Sequence, residues 1–131
     1  MLFRSERLQS CEMLVLVYPT WWGAQPAILK GWFDRVWANG VAYDVHEDGS
    51  APTPRLANVT RVIAITTHGS SKLVNSLQGE AGKRFVKRSL RVAVSRRCRI
   101  SWLALYGLDR AGASDRERFV RRVSERLART A

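Results

Sequence analysis

A chain of 131 residues, 46% of them hydrophobic, has the length and apolar content for one packed domain and too little for two. No apolar run nears the roughly 20 residues of a membrane span, and residues 1–7 lack the basic start and small-residue cleavage site of a secretory signal. The net charge of +11 is lopsided, with seven Lys/Arg against seven Asp/Glu through Gly82 and fifteen against four from Lys83 onward. Such a basic half is either a nucleic-acid footprint or the arginine-rich solvent face of ordinary helices. The two cysteines, Cys11 and Cys98, lie far apart and in no CxxC. They read as buried thiols of a cytoplasmic protein, with no metal site.

In chain order, residues 1–11 read as the tail of a helix with Leu2, Phe3 and Leu8 on one side. Residues 13–18 form a short, continuous apolar strand, the pattern of a parallel sheet covered on both faces. A loop over 19–25 leads to Pro26 at the start of a helix, whose Ile28, Leu29, Trp32, Phe33, Val36 and Trp37 recur at helical spacing until Asn39-Gly40. The helical spacing makes Trp32, Phe33, Val36 and Trp37 core or interface residues. Residues 46–54 are turn-rich and polar, hence a surface loop. A second strand over 61–65 runs into the loop 66–71. Residues 83–94 read as a basic amphipathic helix with Phe85, Val86, Leu90 and Val94 inward. Residues 100–106 form a third strand. The last helix starts at Ser114 as its cap and carries the stripe Phe119, Val120, Val123 and Leu127.

Alternating strands and helices imply an α/β fold with a parallel sheet. A sheet of three strands is small and leaves an edge open, so the chain reads as part of a larger one. Ligands of open α/β sheets sit beyond the carboxyl ends of the strands. Those ends carry the loops 19–25 and 66–71, small or aromatic in composition and free of carboxylates, against which a flat redox-active ring could lie. His68 is either a polar group beside such a ring or a surface residue. No Ser-His-Asp set, acid pair or metal-ligand cluster is evident.

The run Tyr18-Pro19-Thr20-Trp21-Trp22-Gly23-Ala24-Gln25-Pro26-Ala27-Ile28-Leu29-Lys30-Gly31-Trp32-Phe33-Asp34-Arg35-Val36, followed by Gly40-Val41-Ala42-Tyr43, resembles the signature of the flavodoxin-like NAD(P)H:quinone oxidoreductases, the DT-diaphorase and drug-activity-modulator group. A second block, Ile65-Thr66-Thr67-His68-Gly69 and then Ser76-Leu77-Gln78-Gly79, matches downstream, and the resemblance covers roughly residues 8–106. It implies a flavodoxin-like three-layer fold and a bound FMN or FAD that takes hydride from NAD(P)H and passes it to a quinone. It further implies that Pro19, Thr20, Trp21, Trp22 and Gly23 line the flavin ring. Thr66, Thr67, His68 and Gly69 would meet the ring's polar edge, and Tyr43 would belong to the substrate pocket. Lys30, Gly31 and Trp32 would serve packing and a homodimer contact.

The departures from that family pattern are as specific. Where the diaphorase branch places a Tyr and a His, this chain has Asn75 (or Val74) and Ala81, and Val45 replaces an aromatic, so no catalytic side chain carries over. The cofactor can still do the hydride chemistry if the protein positions it. The family's first strand, phosphate loop and first helix lie upstream of the matched segment, so the chain is expected to be one partial flavodoxin-like domain over 1–131, through a mis-assigned start or a truncated gene. Two other readings accompany the enzyme. One is a catalytically inert fragment with an exposed sheet edge, and the other is a basic nucleic-acid-binding module.

Overall fold

The computed structural model describes residues 2–129, with side chains from Ser5 onward. Its elements are α1 (Leu2–Ser10), β1 (Met13–Pro19), α2 (Ala27–Val36), β2 (Tyr43–Asp44), β3 (Thr53–Pro54), β4 (Arg61–Thr67), α3 (Lys72–Leu77), α4 (Ala81–Arg88), β5 (Arg99–Leu105) and α5 (Ala113–Ala128). Short 3-10 turns follow α4 at Ser89–Val92 and β5 at Leu108–Arg110. The α/β class and the three parallel strands expected from the sequence are present.

The main sheet has the order β1-β4-β5, all parallel, with Tyr18 opposite Thr66 and Thr66 opposite Ala104. Parallel neighbours need crossover connections, and α2 and α3–α4 provide them. β4 is central, and its residues 62–66 are buried, which is why its sequence is apolar without alternation. On one face Leu16, Tyr18, Val62 and Ala64 join Phe33, Val36 and Trp37 around α2 and Val86 and Leu90 around α4 and the turn after it. Leu56, Val59, Val62, Val86 and Val94 are wholly enclosed there. Burying a side chain of this size stabilises by about 1.5–3 kcal/mol before entropy is counted. On the other face Ile63, Ile65 and Leu103 receive Phe119, Val123 and Leu127 of α5.

That second face is covered over β4 and β5 but not over β1. Met13, Val15 and Val17 point to it and stay exposed, Val17 by 72%. Val120, expected in the inward stripe of α5, is also exposed and shares an apolar groove with Val17 and Ile65. Of the two edge strands, β1 and β5, it is β1 that also leaves an apolar face uncovered.

Several boundaries differ from expectation. The helix expected over 83–94 starts at Ala81, leaves α-geometry after Arg88 and tightens into the 3-10 turn, which still keeps Leu90 inside. α3 was not anticipated: it is six residues long, too short to show a period, and its Ser71 cap accepts the Val74 N–H at 3.3 Å. Within the loop expected over 46–54, Thr53 and Pro54 pair with Tyr43 and Asp44 as a two-stranded ribbon. Ser114 does not cap α5. The cap residue is Gly112, whose N–H donates to Asp115 Oδ2 at 3.1 Å. In α1, Leu8 is buried as expected, while the side chains of Leu2 and Phe3 lie outside the described residues. Cys98 is buried, Cys11 is half-buried, and burial raises both thiols above their ordinary value. Among the described residues no helix is long and apolar enough to cross a membrane.

Candidate functional site

Because β1 and β4 are parallel and in register, their following loops leave the sheet side by side. The ladder continues one residue past β1, where the Thr20 N–H donates to Thr67 O at 2.8 Å. The chain then reverses at once: Trp21 and Ala24 exchange two backbone hydrogen bonds of 3.0 Å each. So tight a reversal puts Trp22 at φ +50° and Gly23 at φ +74°. Glycine occupies that region freely, whereas a bulky residue there carries strain. The indole of Trp22 is nonetheless fully exposed, so no packing of its own offsets that strain.

The loop after β4 is held from β5. The His68 N–H donates to Leu105 O at 2.8 Å, Leu108 N–H returns to His68 O at 2.9 Å, and Gly107 N–H reaches Ser70 O at 2.9 Å. Gly69 sits where a Cβ would come within 3.0 Å of Asp109 Oδ2. The Gly82 N–H, at the start of α4, donates to Gly23 O at 3.3 Å and ties the tryptophan turn to the far wall. Between these walls lies a cleft of about 590 Å³, lined by Thr20, Trp22, Gly23, His68 and Gly69 from the two strand-end loops and by Asn75, Gln78 and Ala81 opposite.

Its floor is a chain of buried and half-buried polar groups. Thr66 Oγ1 lies 2.9 Å from Thr20 Oγ1, which is 3.3 Å from His68 Nε2. His68 Nδ1 is 2.7 Å from Asn75 Oδ1. The Tyr106 ring stacks on the imidazole at 4.5 Å, and its hydroxyl donates to Glu80 Oε1 at 2.9 Å. Lys83 Nζ donates to the other carboxylate oxygen at 2.8 Å. Burial lowers the His68 pKa, against the opposing pull of the Asn75 hydrogen bond and the Glu80 charge. Burial therefore favours the neutral imidazole. The Lys83 hydrogen bond holds the Glu80 carboxyl below the usual range.

Of the site residues expected from the sequence, Thr20, Trp22, Gly23, His68 and Gly69 come together in this cleft. His68 is buried, which removes the surface alternative. Thr66 is not among the cleft-lining residues and borders the α5-side groove, with its hydroxyl 2.9 Å from Thr20 Oγ1. Pro19 and Thr67 border the apolar groove on the α5 side instead. Trp21 is 62% exposed at the turn and is not among the cleft-lining residues. Tyr43 packs against the α2-side core from the β2–β3 ribbon, also outside the cleft lining. Sequence reasoning singled out Asn75 only as a replacement. Its position seven residues after His68, one turn into α3, becomes meaningful only once α3 is recognised. Glu80 and Tyr106 had no sequence signal, since their contact joins residues 26 apart. Among the described residues no group of three His, Cys, Asp or Glu could hold a metal.

A family model described as the flavodoxin-like fold matches residues 2–130. The chain belongs to the flavodoxin-like fold family. Its resemblance to the family's NAD(P)H:quinone oxidoreductases is borne out by similar relatives. NAD(P)H dehydrogenase [quinone] 1 of Rattus norvegicus is 35% identical over 80 residues, which are 59% of this chain and 27% of the rat protein. The NAD(P)H:quinone oxidoreductase from Methanothermobacter marburgensis superposes with a TM-score of 0.73 at 27% identity, over 92% of this chain and 59% of that one. An FMN-dependent NADH-azoreductase from Bacillus anthracis, solved with FMN, superposes with a TM-score of 0.77 over 99% of this chain and 63% of its own, and at 16% identity shares the fold alone. The flavodoxin-like chain thus spans between about a quarter and two thirds of the length of these proteins.

Proposed function

We propose that this chain is the ring-binding part of a flavin-dependent NAD(P)H oxidoreductase that reduces quinones or similar electrophiles, with FMN or FAD as cofactor. One observation carries the reading: a fully exposed indole, Trp22, is held in the left-handed region at the mouth of a cleft floored by hydroxyls and an imidazole. Strain that no packing repays clusters at ligand sites. The residues present fit a flat heteroaromatic ring. Trp22 offers it a stacking face, Thr20 a hydroxyl, and Gly69 a backbone free of side-chain bulk.

A bound flavin would supply the hydride chemistry. The chain's own work is to place the ring at the ends of β1 and β4, to exclude water with Trp22, and to meet the ring's polar edge from Thr20 and the loop at His68–Gly69. Ala81 lines the opposite wall, and its small side chain would leave space there for the nicotinamide or the quinone in turn. The resemblance also implies a cytoplasmic homodimer. Ile28, 87% exposed on α2, and Gly31, with open space above it, would form its contact surface.

Titration of the purified chain with FMN, FAD and riboflavin, followed by flavin fluorescence, tests this reading. Quenching that saturates, and that Trp22→Ala weakens at least about tenfold, is expected, tenfold being about 1.4 kcal/mol. No quenching by any of the three at about 1 mM, where an interaction of only about 4 kcal/mol would register, overturns it.

A further inference from the structure

The polar floor of the cleft has a direction, and the direction can be read from atoms that have only one role. Asn75 is buried, and its Nδ2 donates to Ser70 O at 3.2 Å and Ser71 O at 2.8 Å. Carbonyl oxygens only accept, so these two bonds fix which end of the amide is NH₂. Its Oδ1 then faces His68 Nδ1 at 2.7 Å, and a carbonyl oxygen so close requires a proton on Nδ1. A neutral imidazole with Nδ1–H has a bare Nε2. The hydroxyl of Thr20, 3.3 Å away, must therefore donate to it. Having given its one hydrogen, Thr20 can only accept across the 2.9 Å contact to Thr66 Oγ1, so Thr66 donates. With His68 neutral, the hydrogen bonds from Thr66 through Thr20, His68 and Asn75 to the Ser70 and Ser71 carbonyls all run in one sense.

We propose that His68 is a positioning residue whose protonation reverses the hydrogen bonding that Thr20 presents to the cleft. With His68 neutral, Thr20 has no hydrogen to spare and offers a ligand only a lone pair. When His68 takes a proton from solvent onto Nε2, that N–H donates to Thr20 and releases the Thr20 hydrogen toward the cleft. The site then offers a donor backed by a cation. The neutral state suits a ligand edge bearing N–H, and the protonated state suits a ligand that has gained negative charge. One imidazole would thereby adapt the same strand-end hydroxyl to both charge states of a redox-active ring.

The surroundings suit such a titration. Tyr106 stacks on the imidazole and Trp102 meets it edge-on at 6.1 Å, so aromatic faces enclose it from the β5 side. The Glu80 carboxylate, fixed by Tyr106 and Lys83, attracts the added proton, and Asn75 can still accept from Nδ1 in the cationic form. Asp109 lies beside Gly69 on the same loop system. Burial opposes the charge and lowers the pKa, so the neutral form is favoured until acid, or an anionic ligand, shifts it.

The direction of the relay is independent of ligand identity; its use by a redox ring rests on the flavin reading above. The test has an arm for each. His46 is the other histidine, so His46→Asn leaves a single imidazole to follow by ¹⁵N NMR in the ligand-free protein. A protonated Nδ1 and a pyridine-like Nε2 are expected at pH 7.5. Asn75→Asp should raise the His68 pKa by about one unit, tenfold in proton affinity, and Asn75→Leu should lower it, with melting curves confirming that each variant folds. A dominant Nε2–H tautomer, or a pKa that does not move with Asn75, overturns the relay.

In the second arm riboflavin, which has no phosphate to titrate, is bound between about pH 5 and 8, the window of a histidine. Affinity should change by about threefold or more, the size of one hydrogen bond, and the midpoint should move with the pKa in Asn75→Asp. A flat profile in protein that binds riboflavin overturns the coupling to the cleft. Failure of FMN, FAD and riboflavin alike to bind at any pH sinks the flavin reading and leaves the relay to be judged by NMR alone.

Discussion

Glu80 accepts a hydrogen bond from the Tyr106 hydroxyl while its own backbone stands at φ +44°, in the region that side chains avoid. The same carboxylate receives Lys83. Two polar anchors thus hold the start of α4 in a conformation its backbone does not favour, and they place that helix across the cleft from the tryptophan turn.

A pH dependence follows. The folded state holds the Glu80 carboxyl below its unfolded value, mainly through Lys83. Its contribution is therefore full above the unfolded carboxyl pKa and is lost as pH falls through the folded one. Melting temperature should fall on acidification through that window, and Glu80→Gln should flatten this part of the profile in a thermal series. An unchanged slope in the variant would remove Glu80 from the account.

Trp22 separates stability from binding. Replacing it with glycine relieves the left-handed backbone and removes no buried contact, so a gain of up to about 1 kcal/mol is expected. Flavin quenching should be lost in the same variant. A chemical melt and a titration on one preparation check both.

Gly69→Ala brings a Cβ to about the 3.0 Å position beside Asp109 Oδ2. The obstructing atom is the tip of an exposed, flexible side chain that can swing aside, so the cost should stay below about 1 kcal/mol. Asp109→Ala in the same chain removes the obstructing carboxylate and should recover most of the loss. Urea denaturation of the two single variants and the double variant measures this coupling.

The β1 edge predicts association. Met13, Val15 and Val17 are exposed beside unpaired strand backbone, and such edges pair with other chains unless charge is placed on them. Light scattering should show mass rising with concentration, and Val17→Lys should suppress the rise while leaving the circular dichroism spectrum intact. If scattering does not depend on concentration in the parent chain, the edge is protected in some other way.

Leu56 is wholly enclosed, and its N–H donates to Ala93 O, joining the segment before β4 to the turn after α4. Leu56→Ala should cost about 2–5 kcal/mol. A loss below about 1 kcal/mol in urea denaturation would mean that the core collapses around the gap.

The sheet was legible because burial on two faces turns strands into unbroken apolar runs, as at Val62 to Ile65. The site was half legible. Trp22 and Gly23 stand out because a loop gives no packing reason for two adjacent indoles. Asn75, Glu80 and Tyr106 do not, because their meaning lies in contacts through space. Asn75 matters through Ser70 and Ser71 at its own helix start, and Tyr106 through an imidazole 38 positions earlier in the chain. Periodicity also misled over 83–94, where inward residues keep their spacing through an α-helix and then a 3-10 turn, since burial constrains direction more than helix type.

Thr20 is the last residue whose backbone is laced into the sheet, and Trp22, two positions on, stands wholly in solvent. The chain passes from the sheet ladder into a tight turn, closed by the Trp21–Ala24 backbone pair, within one peptide unit on either side of Trp21. A load on the indole is therefore delivered to the Thr20 amide with almost no slack between them. Hydrogen exchange at that single amide should slow when the indole is clamped by a ligand. The sheet's own backbone would then serve as the gauge of whether the cleft is filled.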